Sequence, residues 1–162
     1  DRTRTLVALA RPLGCSVIVN DRLDIALAAD ADGVHLGHDD LPIKEARRAA
    51  GHQLLLGAST HGLEEAGRAI EAGADYCGVG PMFTSSTKPG LDAAGPARIA
   101  EFIEAWPGIP HLAIGGIEPS NLPSLLEAGC RGVACCEAVC GSEDPAAAAS
   151  ALLDRLHACQ PA

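Results

Sequence analysis

The chain has 162 residues, 48% apolar and only 2% aromatic, a length that fits one domain with a core of Ala, Leu, Ile and Val. Twelve basic side chains against 21 acidic ones leave a formal charge of −9, which excludes general nucleic-acid binding but not a small anionic ligand held in a local pocket. No signal peptide and no apolar run of membrane-spanning length is evident, so no membrane partner is expected; a cytoplasmic location is expected from the reduced cysteines described below.

The chain opens on Asp1-Arg2-Thr3-Arg4, without an initiator Met, and runs directly into a helical pattern over Thr3–Leu13. It reads as starting mid-fold. A buried strand follows at Ser16–Asn20, then a helix at Leu23–Ala29. The small-residue stretch Ala29-Asp30-Ala31-Asp32 leads into a strand at Gly33–Gly37, and Pro42–Ala50 is the next helix. Leu54–Ser59 is a strand, Leu63–Ala72 a helix and Tyr76–Gly80 a strand. The motif before Tyr76, Ala72-Gly73-Ala74-Asp75, repeats the one before Gly33. Physically this is a helix C-terminus, a residue that tolerates left-handed backbone, and a buried strand.

Pro81–Ala93 is the longest irregular stretch, of a length that is usually functional. A helix at Ala94–Ala105, a strand at His111–Gly115 and a helix at Pro119–Glu127 come next. Ala128-Gly129-Cys130-Arg131 then introduces a strand at Gly132–Cys136, and the last helix is Pro145–His157. Pro42, Pro119 and Pro145 are expected at helix starts, where a missing N–H costs nothing. There are seven cysteines, four of them at Cys130, Cys135, Cys136 and Cys140. Their spacing matches no zinc template, and they are expected to be reduced, buried small hydrophobes, with Cys135 and Cys136 on opposite faces of a strand.

Alternating strands and helices imply βαβ units and a parallel sheet. Six strands are too few for a closed eight-stranded barrel. A doubly wound open sheet accepts six, but the dinucleotide glycine fingerprint is absent and polar residues follow nearly every strand. The expectation is one domain over residues 1–162, a TIM-type (β/α)8 barrel lacking its first two strands and first helix.

In such a barrel the loops after the strands carry the chemistry. Asn20-Asp21 and Gly37-His38-Asp39-Asp40 follow the first two strands. Carboxylates at adjacent strand ends suit one magnesium ion completed by water and phosphate. Asp21, Asp39 and Asp40 are equally placed to cap helices. Ser59-Thr60-His61 offers a hydroxyl for a phosphate oxygen or a helix cap, and His61 is not expected to be catalytic. Thr84-Ser85-Ser86-Thr87-Lys88 supplies neutral donors and one cation, which suits a diphosphate or a plain solvated loop. Gly115-Gly116 and Cys136-Glu137 follow the last two strands, the place where barrels often hold a phosphate. A tight Gly-Gly turn without ligand is the alternative.

Together these segments resemble thiamine phosphate synthases. The likeness runs through Val19-Asn20-Asp21-Arg22, Ala31–Leu41, Gly57-Ala58-Ser59-Thr60-His61, Gly73-Ala74-Asp75-Tyr76, Gly78–Phe83, Ser85-Ser86-Thr87-Lys88 and Ala113–Ile117 with Asn121. It covers nearly the whole chain in the right order. The resemblance implies a Mg²⁺-assisted alkyl transfer that joins a pyrimidine methyl diphosphate to a thiazole phosphate, releasing pyrophosphate. It implies Asp21 and Asp40 as magnesium ligands. Asn20, Ser59 and Lys88 are implied as catalytic contacts to the pyrimidine diphosphate. Ser85, Thr87 and the Gly116, Cys136 and Glu137 backbone are implied at the thiazole phosphate. No protein nucleophile is required, and a homo-oligomer is compatible with this reading.

Three departures stand out. The family's glutamine-x-arginine-x-lysine segment has no counterpart, Glu137 replaces the usual Ser, and Thr84 replaces a usual Pro. The competing expectations are a thiazole tautomerase of the same fold and a non-catalytic phosphate-binding regulatory domain.

Overall fold

The computed structural model describes residues 2–84 and 92–158. Two compact units are distinguished: Asp1–Thr60 with Glu64–Cys77, and His61–Leu63 with Gly78–Ala162. In chain order the strands are β1 (Ile18–Asn20), β2 (Gly33–Leu36), β3 (Leu55–Thr60), β4 (Tyr76–Val79), β5 (His111–Ile114) and β6 (Val133–Ala134). The helices are α1 (Arg2–Ala10), α2 (Leu23–Ala29), α3 (Ile43–Ala50), α4 (Leu63–Glu71), α5 (Gly95–Ala105), α6 (Leu122–Glu127), α7 (Glu137–Cys140) and α8 (Pro145–Ala158). Sheet order follows chain order, β1 to β6, as a barrel-type βα repeat requires. A doubly wound sheet would reverse its order at a switch point.

In the first unit β1, β2 and β3 pair in parallel, with Asn20 opposite His35 and His35 opposite Gly57. The recurring aspartate before a strand has a defined task here. Asp32 Oδ2 accepts from the Val17 amide at 2.7 Å, and Asp75 Oδ2 accepts from the Leu56 amide at 2.7 Å. Each carboxylate thus satisfies a backbone N–H near the start of a neighbouring strand, just before β1 for Val17 and at the second residue of β3 for Leu56. The core is aliphatic, built from Val7, Leu23, Ala26, Val34, Leu36, Ala46, Leu54 and Leu56, with Val17, Val19 and Ile43 against it. Alanine on α2 and α3 lets these helices lie close to the sheet.

In the second unit β5 and β6 pair in parallel through Ala113↔Val133 and Ile114↔Ala134. Phe102 is buried, with Trp106 and His111 rings 5.4 and 5.7 Å from its centroid. The few aromatic side chains of the chain are therefore partly pooled in one cluster.

Several boundaries move. The first helix ends at Ala10 and finishes as a 3-10 turn over Arg11–Leu13, because Pro12 cannot donate to a continuing helix. Pro119 does not start α6. That helix begins at Leu122 with Asn121 as N-cap, and Pro123 occupies the first turn. Pro42 is the N-cap of α3 rather than its first helical residue. The strand expected over Gly132–Cys136 shortens to two residues, so Cys135 and Cys136 do not alternate across a strand. Burial holds for Cys77 and Cys130 but not for Cys15, Cys136 and Cys140, which are exposed. Cys136 and Cys140 fall beyond the strand, as N-cap and last residue of the short helix α7, which the sequence reading did not foresee.

Candidate functional site

The first unit carries Asn20, Asp21, Asp40 and Ser59 after the C-terminal ends of β1, β2 and β3 or on the last residues of these strands. Asn20 ends β1 and is exposed. Asp21 follows in left-handed backbone (φ 63°), and its amide donates to the His35 carbonyl at 2.8 Å. The strand therefore turns sharply at Asp21, and α2 starts with Arg22, not Asp21, as N-cap. Arg22 is turned onto Asp24 through two bonds of 2.8 and 2.6 Å. That hydrogen bond, helped by the charge of Arg22, holds the Asp24 carboxyl below its usual range.

Asp40 reaches back over its own loop. Its Oδ2 accepts from the Gly37 amide at 2.7 Å. The N-cap of α3 is Pro42, and no side chain caps that helix. Helix capping thus does not account for Asp40. Among the described residues no group of three His, Cys, Asp or Glu is assembled for a metal. Two hard carboxylates on neighbouring strand ends are a donor set that fits magnesium, which keeps most of its shell as water and phosphate. They do not fit zinc.

Ser59, the fifth residue of β3, is half-buried. Its hydroxyl lies 3.0 Å from His35 Nε2, and His35 Nδ1 lies 3.1 Å from the Tyr76 hydroxyl. His35 and Tyr76 were not singled out from sequence as site residues. The signal that could have found them is Gly57, between them in the ladder. A methyl group there would collide with the Tyr76 ring and with His35 Nδ1. Burial pushes the Tyr76 phenol up to about 12. His61 is exposed on its surface loop, and its carbonyl accepts from Arg98.

The second unit holds Gly116, Cys136 and Glu137. The Gly115-Gly116 turn has φ values of 100° and 61°, conformations open to glycine. It is zipped to the preceding segment by Met82 N–H to Ile114 O (2.8 Å) and Phe83 N–H to Gly115 O (3.0 Å). A Cβ on Gly116 would strike the Thr84 carbonyl. Asn121 staples the turn from the other end, donating to Gly116 O at 2.8 Å and accepting from Glu118 N–H at 3.0 Å. Cys136 is the N-cap of α7, and Glu137 is its first residue. The Glu137 side chain folds along its own helix: a methyl group on Gly141 would lie 2.5 Å from Glu137 Oε1. Ser85, Thr87 and Lys88 lie outside the described residues.

A family pattern described as thiamine monophosphate synthase matches residues 1–139. The chain belongs to that family. A thiamine-phosphate synthase of Synechococcus sp. (strain WH7803) is 52% identical over 139 residues, covering 86% of this chain and 39% of the relative. One from Chloroflexus aurantiacus is 49% identical over 146 residues, covering 89% of this chain and 66% of the relative. The chain thus spans less than half the length of the Synechococcus relative. Among solved structures, a thiamine phosphate pyrophosphorylase from Pyrococcus furiosus superimposes with a TM-score of 0.90 at 37% identity, covering 99% of this chain and 76% of that one. This likeness agrees with the barrel-type α/β reading. No helix among the described residues is long and apolar enough to cross a membrane.

Proposed function

We propose that this chain carries the catalytic groups of a thiamine-phosphate synthase, joining hydroxymethylpyrimidine diphosphate to thiazole phosphate with release of pyrophosphate. The observation that supports the reading is the set Asn20, Asp21, Asp40 and Ser59, on or in the loops just after the C-terminal ends of three adjacent strands, in a member of this family.

Asp21 and Asp40 would hold Mg²⁺, which when bound supplies positive charge to the departing pyrophosphate. Asn20, Ser59 and Lys88 contact the diphosphate, and their donors strengthen as negative charge collects on the leaving group. Ser85 and Thr87 meet the thiazole phosphate, as do the backbone amides of Gly116, Cys136 and Glu137. The turned-back Glu137 side chain supports a backbone role, since its carboxylate is drawn along α7. Holding the two rings together makes the bond-forming step effectively unimolecular. No residue needs to act as nucleophile, because the thiazole nitrogen attacks the pyrimidine methylene carbon.

The test mixes the whole protein with both heterocycle phosphates and Mg²⁺ and follows thiamine phosphate. Product that vanishes on chelation is expected. A folded protein that makes none refutes the synthase reading, and isomerisation of the thiazole carboxylate phosphate alone would assign a tautomerase.

A further inference from the structure

The His35 ring joins two hydroxyls from different strands. Tyr76 Oη lies 3.1 Å from Nδ1, and Ser59 Oγ lies 3.0 Å from Nε2. Both contacts sit inside the first unit, where Gly57 leaves the space that Tyr76 and His35 share. Direction matters, because a neutral imidazole donates from one nitrogen and accepts at the other.

The chain of donors can be ordered from the Tyr76 end. Tyr76 keeps its hydrogen at neutral pH, since burial pushes the phenol up to about 12. Among the described residues, His35 Nδ1 is the hydrogen-bonding partner found for that hydroxyl. Nδ1 lies within hydrogen-bond reach of this half-buried hydroxyl, and a neutral phenol is the better donor of the two, so Tyr76 donates to Nδ1. The imidazole hydrogen then sits on Nε2 and donates to Ser59 Oγ. This leaves the hydrogen of Ser59 itself without a described protein acceptor.

We propose that His35 and Tyr76 are positioning residues which, through the Nε2–H tautomer of His35, set Ser59 as a hydrogen-bond donor to an anionic oxygen of the substrate. The substrate side rests on the synthase reading above, with a diphosphate oxygen as acceptor. The tautomer does not rest on it. A serine fixed this way is a one-way donor, whereas the opposite tautomer would spend its hydrogen on the imidazole.

The experiment has two arms. ¹⁵N NMR of the unliganded whole protein at pH 8 reads the protonation of the two His35 nitrogens. Nε2–H is expected in the wild type, and a shared proton in Tyr76→Phe. Steady-state kinetics should show the KM for the pyrimidine diphosphate rising about tenfold in Tyr76→Phe, the size of one lost hydrogen bond. The KM for the thiazole phosphate should stay unchanged. His35→Gln, whose amide can still donate towards Ser59, should recover more of this affinity than His35→Leu. Nδ1–H in the wild type, an unchanged KM in Tyr76→Phe, or equal loss in the Gln and Leu variants overturns the proposal. A protein with the expected tautomer that makes no thiamine phosphate refutes the synthase reading and leaves the tautomer assignment standing.

Discussion

Asp40 Oδ2 accepts the Gly37 amide at 2.7 Å, so this carboxylate closes its own loop and does not cap the helix that follows. One oxygen has a local structural task. Asp40→Asn keeps an acceptor for Gly37 but loses the charge that a cation needs. Asp21→Asn removes the second proposed charge, on a residue whose backbone is already fixed by its bond to the His35 carbonyl. Each single variant should melt close to the wild type, within about 0.5 kcal/mol. The double variant should lose Mg²⁺-dependent pyrophosphate binding in calorimetry and lose turnover. Wild-type binding in the double variant would show that these carboxylates serve only the loops.

Arg47 gathers acceptors from two separate segments. It donates to Gly51 O at 2.7 Å, Leu54 O at 3.2 Å and Gly73 O at 2.8 Å, and pairs with Asp75 at 2.5 Å. Asp75 in turn receives the Leu56 amide. Its side chain is 16% exposed and that of Asp75 38%, so water only partly screens the pair. Arg47→Lys keeps the charge but cannot span these acceptors with a single ammonium. A loss of about 2–3 kcal/mol in urea unfolding is expected. A Lys variant as stable as the wild type would reduce this fork to a surface ornament.

These two sites mark how far the sequence could be read. Strand and helix order was legible because each strand is a short apolar run between small-residue helix ends, as at Asp32-Gly33-Val34 and Asp75-Tyr76. The role of those aspartates was not, since their partners, Val17 and Leu56, are 15 and 19 residues away and meet only through strand register. His35 and Tyr76 escaped for the same reason, 41 positions apart in sequence. Helix α7 is four residues long, too short to display a helical period. Asn20, Asp21, Asp40 and Ser59 were legible because a barrel puts its chemistry after its strands. Their proposed division of labour comes from the family resemblance.

The thiols should separate by burial. Burial pushes Cys77 up to about 11 and raises Cys130 and Cys135 above the ordinary thiol value. Cys15, Cys136 and Cys140 are exposed. The thiolate is the species that alkylates. Iodoacetamide at pH 8, followed by peptide mass spectrometry, should therefore mark Cys15, Cys136 and Cys140 first. Cys77 and Cys130 should react only as the protein unfolds. Early labelling of Cys77 in the folded protein would contradict the packing around β4.

His111 sets a pH dependence whose sign follows from its surroundings. Its Nε2 is buried and has no hydrogen-bond partner among the described residues, and the ring meets the edge of Phe102 at 5.7 Å. Burial lowers its pKa below 6.5 and the charge of Arg131 adds to this, while a backbone bond at Ile109 opposes it. The folded state therefore resists a proton that the unfolded chain accepts near 6.5. Stability from this residue is complete above that value and falls as pH drops below it, by at most about 1.4 kcal/mol per pH unit. His111→Leu removes the titration and leaves the other histidines and the carboxylates in place. Plotted from pH 7 to pH 5, the unfolding free energy of the wild type should fall more steeply than that of the variant, since only the wild type carries this added acid loss. Parallel curves would show that the folded state accommodates a charged imidazole at β5, and that the unpartnered Nε2 finds an acceptor in solution.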